Sequence, residues 1–161
     1  ALTLLIFFST FYSANAQTSY KMYTYKQIGN KYIVSVVNRS EITKAITTFC
    51  EEHDIKAGSI YGLGAVDEAV LRFFDPATKK YVDKTFSEQL EISNLTGNIS
   101  EMNGKVYLHL HITLGRSDYT ALAGHLLTAV LNGAGDFVIE KFDGKADRYH
   151  DENLGLNLYR F

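Results

Sequence analysis

Residues 105–114, with the sequence KVYLHLHITL, alternate strictly between aliphatic and other side chains. Because successive side chains of a β-strand point to opposite faces, this alternation predicts a strand with two different faces. One face is aliphatic, belongs to a hydrophobic core and consists of Val106, Leu108, Leu110, Ile112 and Leu114. The other face consists of Tyr107, His109, His111 and Thr113. The second face therefore carries the chemically active side chains of this segment.

The two histidines of this strand have a spacing that suits a metal ion. With a rise of about 3.3 Å per residue, His109 and His111 lie roughly 6–7 Å apart along the strand. Two neutral imidazoles can then bind one ion, each at about 2.0–2.1 Å from zinc. A third ligand is needed, and His125, which follows Gly124, is the nearest histidine in the sequence. The pattern predicts a metal site at His109, His111 and His125, with polar surface or packed core histidines as the alternatives.

The remaining sequence predicts one helix among several strands. Ser40 can cap a helix that runs from Glu41 to about His53, with apolar residues at positions i, i+3, i+4 and i+7. Apolar segments predict strands over residues 31–37, 59–66, 68–74, 80–92, 105–114, 136–142 and 154–161. Residues 145–153 are polar and predict a loop. The expected fold is α+β, a mainly antiparallel sheet with one long helix and a few short ones.

The N-terminal segment has the pattern of an export signal. Residues 1–16, ALTLLIFFSTFYSANA, contain no charged side chain, and their apolar block is shorter than the roughly 20 residues of a membrane-spanning helix. Ala14-Asn15-Ala16 resembles a signal-peptidase site. This predicts a signal peptide over 1–16 and one domain over 17–161, without a stable membrane span, in the periplasm or outside the cell. A buried N-terminal strand is the alternative.

Charge and cysteine content exclude several classes of protein. The 161-residue chain carries 16 basic and 18 acidic side chains, so no overall positive field attracts it to nucleic acid. The single cysteine, Cys50, excludes an intrachain disulfide scaffold. Cys50 lies on the apolar side of the predicted helix, and we expect it to be buried rather than reactive.

Four short motifs follow one another along the chain: GLGAV (62–66), LTGNIS (95–100), LHLHI (108–112) and GHLL (124–127). Together they resemble the plants and prokaryotes conserved (PPC) domain, over roughly Tyr32 to Phe161. The resemblance implies a mainly antiparallel sheet and a homotrimer. It implies strand over residues 124–131, although local propensity favours a helix over 118–131. It also implies that His109, His111 and His125 hold a metal ion, with zinc as the expected metal.

Three hypotheses about function follow. The first is an exported, homotrimeric PPC-domain protein that binds a metal ion, with a small molecule as a further ligand and no demonstrated chemistry. The second is a zinc enzyme of the hydrolase type, because three protein ligands leave one position of zinc open to water. Glu91, Glu101 and Asp118 are its candidate acids or bases. The third is an assembly module in which the histidines are structural.

DNA binding is a fourth possibility, by family analogy only. Plant relatives bind DNA through a separate basic Arg-Gly-Arg-Pro hook, and no such segment occurs in this sequence. The formal net charge of -2 also disfavours a polyanionic partner. We therefore do not expect nucleic acid to be a partner.

Overall fold

The computed structural model describes residues 21–161, so the predicted signal peptide over 1–16 lies outside the described residues. The described residues form one helix, α1 (Ile42–Glu52), and nine strands. The strands are β1 (Tyr23–Ile28), β2 (Lys31–Val36), β3 (Gly58–Asp75), β4 (Lys80–Phe86), β5 (Leu90–Met102), β6 (Lys105–Gly115), β7 (Ala121–Lys141), β8 (Asp147–Asp151) and β9 (Leu156–Arg160).

The fold is mostly β, and the expected α+β fold with one long helix and a few short ones is wrong. Within the described residues, 66% lie in strands and 8% are helical, and the helix has only 11 residues. Residues 121–131, whose side chains favour a helix locally, belong to β7. The backbone there pairs with β3 on one side and with β6 over Ala121–His125 on the other. Pairing between distant strands outweighs local helix propensity at this position.

Four long strands close a circuit around the core. β3 pairs with β5, β5 with β6, β6 with β7, and β7 returns to β3, all antiparallel. β2 and then β1 extend the sheet from β7, and β4 extends it from β3. β8 pairs with β5 in parallel and with β9 in antiparallel orientation. The sheet is therefore mixed, with antiparallel pairing dominant.

Strand boundaries differ from the sequence-based prediction in several places. Strand β1 was not predicted, and the segments predicted as strands over 124–131 and 136–142 lie in one strand, β7. The predicted strands 59–66 and 68–74 form one continuous strand, β3. The predicted strand 80–92 is divided into β4 and β5. The predicted loop 145–153 contains β8, because its backbone finds partners on β5 and β9 despite its polar side chains.

The predicted core face of β6 is confirmed. Leu110, Ile112 and Leu114 are fully buried, and Val106 and Leu108 pack against the core while partly buried. Helix α1 covers this core with one apolar face, which consists of Ile42, Ala45, Ile46, Phe49 and Cys50. Burial raises the pKa of the Cys50 thiol to about 12, in keeping with the expectation of a buried, unreactive cysteine. Within the described residues, no helix is long and apolar enough to cross a membrane.

The predicted cap of α1 was placed one residue too early. Glu41, not Ser40, caps the helix: its carboxylate accepts hydrogen bonds from the backbone N–H groups of Thr43 and Lys44 at 2.9 and 2.7 Å. The same carboxylate accepts one from the backbone N–H of Ala129 in β7 at 3.1 Å. A longer side chain is needed for this double role, because it must reach the helix and the sheet together.

Candidate metal centre

Three histidines meet on the face of the sheet opposite the core. His109 and His111 project from the same face of β6, and His125 lies opposite His111 in the pairing of β6 with β7. The three rings form a nearly equilateral triangle, with centroids 5.2–5.4 Å apart. Each ring offers a nitrogen, and these three nitrogens all lie within 4.8 Å of one another.

This arrangement fits a metal ion of the size and chemistry of zinc. Ligands of a tetrahedral zinc at about 2.0–2.1 Å lie about 3.4 Å from one another. The three histidine nitrogens lie within 4.8 Å of one another, which is a wider spacing than this value. Small side-chain rotations bring them closer, since each ring turns about two single bonds. Imidazole is a preferred ligand of zinc and neighbouring transition metals. The group His109, His111 and His125 can therefore hold a metal ion.

The surroundings keep two of these imidazoles neutral. Burial is the main cause that lowers the pKa of His109, and the positive charge of Arg148 and the neighbouring His111 add to it. Burial also lowers the pKa of His125 to about 4, with further contributions from His109, His111 and Arg72. A neutral imidazole presents a free lone pair, which is the form that binds a metal ion.

A stacked group of side chains supports His125 from the neighbouring strands. Arg72 lies opposite His125 in the pairing of β3 with β7. The Arg72 guanidinium makes two hydrogen bonds to the Asp83 carboxylate, at 3.0 and 2.8 Å, and lies 4.8 Å from the centre of the Tyr81 ring. The Tyr81 ring is in turn 5.8 Å from the His125 ring. These contacts restrict the orientation of the His125 imidazole.

A pocket of about 370 Å³ opens beside two of the histidines. His109 and His125 line it together with Arg148, a buried residue of β8 that the sequence-based reasoning missed. Arg148 lies within residues 145–153, a polar segment that predicts a loop, and nothing in that pattern distinguishes it from its neighbours. Its burial depends on the pairing of β8 with β5 and β9, which no local pattern reveals.

The candidate acids and bases do not line this pocket. Glu101 pairs with Val106 at the far end of β5, and Glu91 pairs with Gly115 at the other end. The Asp118 carboxylate is bound to the backbone and hydroxyl of Thr120 in a turn. Of the five histidines, two lie outside the cluster: the His53 ring stacks on Phe49, and His150 bonds Asn157.

Comparison with known proteins agrees with this architecture. The family model of the Plants and Prokaryotes Conserved (PCC) domain, also abbreviated PPC, matches residues 23–143. The chain belongs to this family. All three histidines lie within the matched part of the PCC domain, whereas β8, with Arg148, follows it. The comparison with curated proteins finds no match.

Several solved structures share the PCC fold. A candidate DNA-binding protein from Bacteroides thetaiotaomicron is 64% identical, with a TM-score of 0.85 over 87% of this chain and 98% of its own. A metal-containing protein from Archaeoglobus fulgidus is 31% identical, with a TM-score of 0.77 over 88% of this chain and 100% of its own. A PPC protein from Pyrococcus horikoshii is 25% identical, with a TM-score of 0.76 over 87% and 95% of the two chains.

Proposed function

We propose that this PCC-domain protein binds one zinc ion through His109, His111 and His125 and offers the ion's remaining position to a small-molecule ligand. The observation that carries the proposal is the convergence of three imidazole nitrogens within 4.8 Å of one another, from two paired strands. The metal content of the relative from Archaeoglobus fulgidus adds support by similarity.

The protein's own residues prepare the site before any ion binds. Burial keeps His109 and His125 unprotonated at neutral pH, so binding needs no proton release from them. The Tyr81 ring, which the Arg72 guanidinium contacts, lies beside the His125 ring and supports its orientation. When bound, zinc with three histidine ligands supplies a Lewis acid with one open position.

A zinc enzyme of the hydrolase type is the second candidate. The pocket beside His109 and His125 favours it, since a substrate bound there would lie next to the ion. The polar groups of that pocket are neutral apart from Arg148, so an acid or base would have to come from a tyrosine or a histidine of the pocket itself.

We also propose that the protein works as a homotrimer outside the cytoplasm. An exposed apolar row crosses three strands: Ile33 and Tyr61 both lie opposite Val138, and Leu63 continues the row along β3. Ile33, Tyr61 and Leu63 are 48%, 55% and 59% exposed, and a row of neighbouring apolar side chains is suited to burial against another subunit. Export is supported by the sequence of residues 1–16 alone.

The proposed metal site is tested by measuring the metal content of protein purified without a histidine tag. We expect about one zinc per chain, and loss of that zinc in His109→Ala. His53→Ala is the matched control, because it removes an imidazole outside the cluster and should leave the metal content unchanged. A folded wild-type protein that binds no metal after zinc reconstitution would refute the proposal.

A further inference from the structure

Arg148 is a buried cation with no acidic partner in the described part of the chain. The residue is 7% exposed. Its Nε donates to Ser100 Oγ, its Nη1 to the backbone carbonyl oxygen of Asn157 and its Nη2 to Asn98 Oδ1, each at 2.8 Å. All three acceptors are neutral. The ion pairs found within residues 21–161 involve other basic residues. A buried guanidinium without a carboxylate is unusual, because burial removes its hydration.

The hydrogen-bonding capacity of Arg148 is also incomplete. A guanidinium has five N–H donors, and three hydrogen bonds leave one donor on each terminal nitrogen. The ring of Tyr159 lies 3.9 Å from the Arg148 guanidinium carbon, and that of Tyr107 lies 5.2 Å away. These two rings stabilise the positive charge by contact with the guanidinium, but they do not accept hydrogen bonds from the two remaining N–H donors.

The position of Arg148 connects it with the histidine cluster. Asn98, which accepts its Nη2 hydrogen bond, lies opposite His109 in the pairing of β5 with β6. Arg148, His109 and His125 line the same pocket of about 370 Å³. The rest of its lining consists of tyrosine, asparagine and leucine side chains, so Arg148 is the one permanently charged group among the described residues that line the pocket. Arg72, nearby, is already neutralised by Asp83.

We propose that Arg148 binds the carboxylate of a small organic acid in this pocket, and that a second oxygen of the same acid is the ligand at the open position of the metal. The carboxylate contact rests on Arg148 alone, whereas the second contact rests on the proposed zinc site. A planar carboxylate matches two donors on neighbouring guanidinium nitrogens, and one negative charge matches the one uncompensated positive charge. The apolar tyrosine and leucine side chains of the pocket suit the carbon skeleton of such an acid.

The test compares acids with their neutral amides by isothermal titration calorimetry at low ionic strength. The probes are acetate, L-lactate and malonate, against acetamide, L-lactamide and malonamide, each titrated into zinc-loaded and EDTA-treated protein. We expect at least one acid to bind about tenfold or more tightly than its amide in both forms, and more tightly with zinc. Equal binding of acids and amides to the EDTA-treated protein, or no binding of any acid, would overturn the inference.

Two variants locate the carboxylate contact. Arg148→Gln should weaken acid binding about tenfold or more, because charge-assisted bidentate bonds are lost. Arg116→Gln is the matched control: it removes a guanidinium that pairs with Glu88 outside the pocket, and acid affinity should not change. Unchanged affinity in a folded Arg148→Gln protein would contradict the proposal. If Arg148→Gln does not fold, the acid and amide comparison on EDTA-treated wild-type protein decides.

The same titrations separate this inference from the proposed metal function. Arg148-dependent acid binding by a protein that takes up no zinc would refute the metal site and retain the carboxylate contact. Zinc uptake without preference for acids over amides would retain the metal site and refute the role of Arg148. Inorganic phosphate is a further probe, and phosphate binding tighter than that of every acid would overturn the assignment to a carboxylate.

Discussion

His111 lies directly opposite His125 in the antiparallel pairing of β6 with β7. This register brings a histidine of each strand to one point of the sheet, and His109 joins them from its position two residues earlier on β6. Asn98, opposite His109 on β5, connects the same point with Arg148. The backbone pairing of β5, β6 and β7 therefore sets the relative positions of the three histidines and Asn98, which favours a preorganised binding site.

The metal-free protein should lose stability on acidification because of His125. The pKa of His125 is about 4 in the folded chain and about 6.5 when unfolded. Between these values the unfolded state binds more protons, so the free energy of unfolding falls as the pH decreases from about 6.5 to about 4. Urea unfolding with EDTA at a series of pH values measures this slope. His125→Gln should reduce it, and an identical slope in the variant would contradict the pKa assigned to His125.

Gly97→Ala should damage the metal centre through the backbone of β6. A Cβ at position 97 would lie 2.1 Å from the His109 carbonyl oxygen and 2.8 Å from a methyl of Leu110, so β5 and β6 would have to separate. We expect a loss of about 3 kcal/mol in the free energy of unfolding, together with weaker zinc binding. Chemical denaturation and zinc titration are the measurements.

Gly124→Ala is the matched control for Gly97→Ala. A Cβ at position 124 would make ordinary contacts at 3.5 Å, although it lies beside His125. It should therefore change stability and zinc affinity much less. A greater loss in Gly124→Ala than in Gly97→Ala would show that the packing around β6 has been misjudged.

Glu41→Ala should destabilise the protein by about 1–2 kcal/mol, since it removes the cap of α1. The variant also leaves the Ala129 backbone N–H without its carboxylate partner. Ser40→Ala is the comparison, because within the described residues the Ser40 side chain contributes no capping bond. Thermal and urea unfolding of both variants measure the difference. A larger loss in Ser40→Ala would restore Ser40 as the cap.

The chain should not bind double-stranded DNA in a gel-shift assay at low salt. Its formal net charge is -2, and its sequence lacks the Arg-Gly-Arg-Pro hook of the plant relatives. Fusion of such a hook to the C-terminus is the positive control and should produce a shift that weakens with added salt. A salt-sensitive shift with the unmodified chain would favour the description given to its relative from Bacteroides thetaiotaomicron.

The histidine face of β6 could be predicted from the sequence because the pattern that defines it lies within a single strand. Strict alternation over residues 105–114 places the core and the histidines on opposite faces without any knowledge of partners. His125 was predicted as the third ligand from its position in the sequence, but its location on a strand came only from the family resemblance, since local propensity favoured a helix there. Nothing local indicates that β7 turns His125 toward His111, because this depends on the register between strands.

Arg148 and the helix content show where local patterns fail. A polar segment predicts a loop, yet β8 is held by backbone pairing, and the burial of Arg148 follows from that pairing. The overestimate of helix has the same origin, because strand pairing is a long-range property while helix propensity is local. The residues missed by the prediction are those whose environment is created by distant parts of the chain.

The most direct test of the metal centre is X-ray absorption at the zinc edge of the zinc-loaded, untagged protein. We expect three imidazole nitrogens at about 2.0–2.1 Å and one oxygen ligand, with no sulfur. In His125→Ala the imidazole contribution should fall and the zinc affinity should decrease. A zinc ion surrounded only by oxygen, or bound to the Cys50 sulfur, would contradict the assignment of the site to His109, His111 and His125.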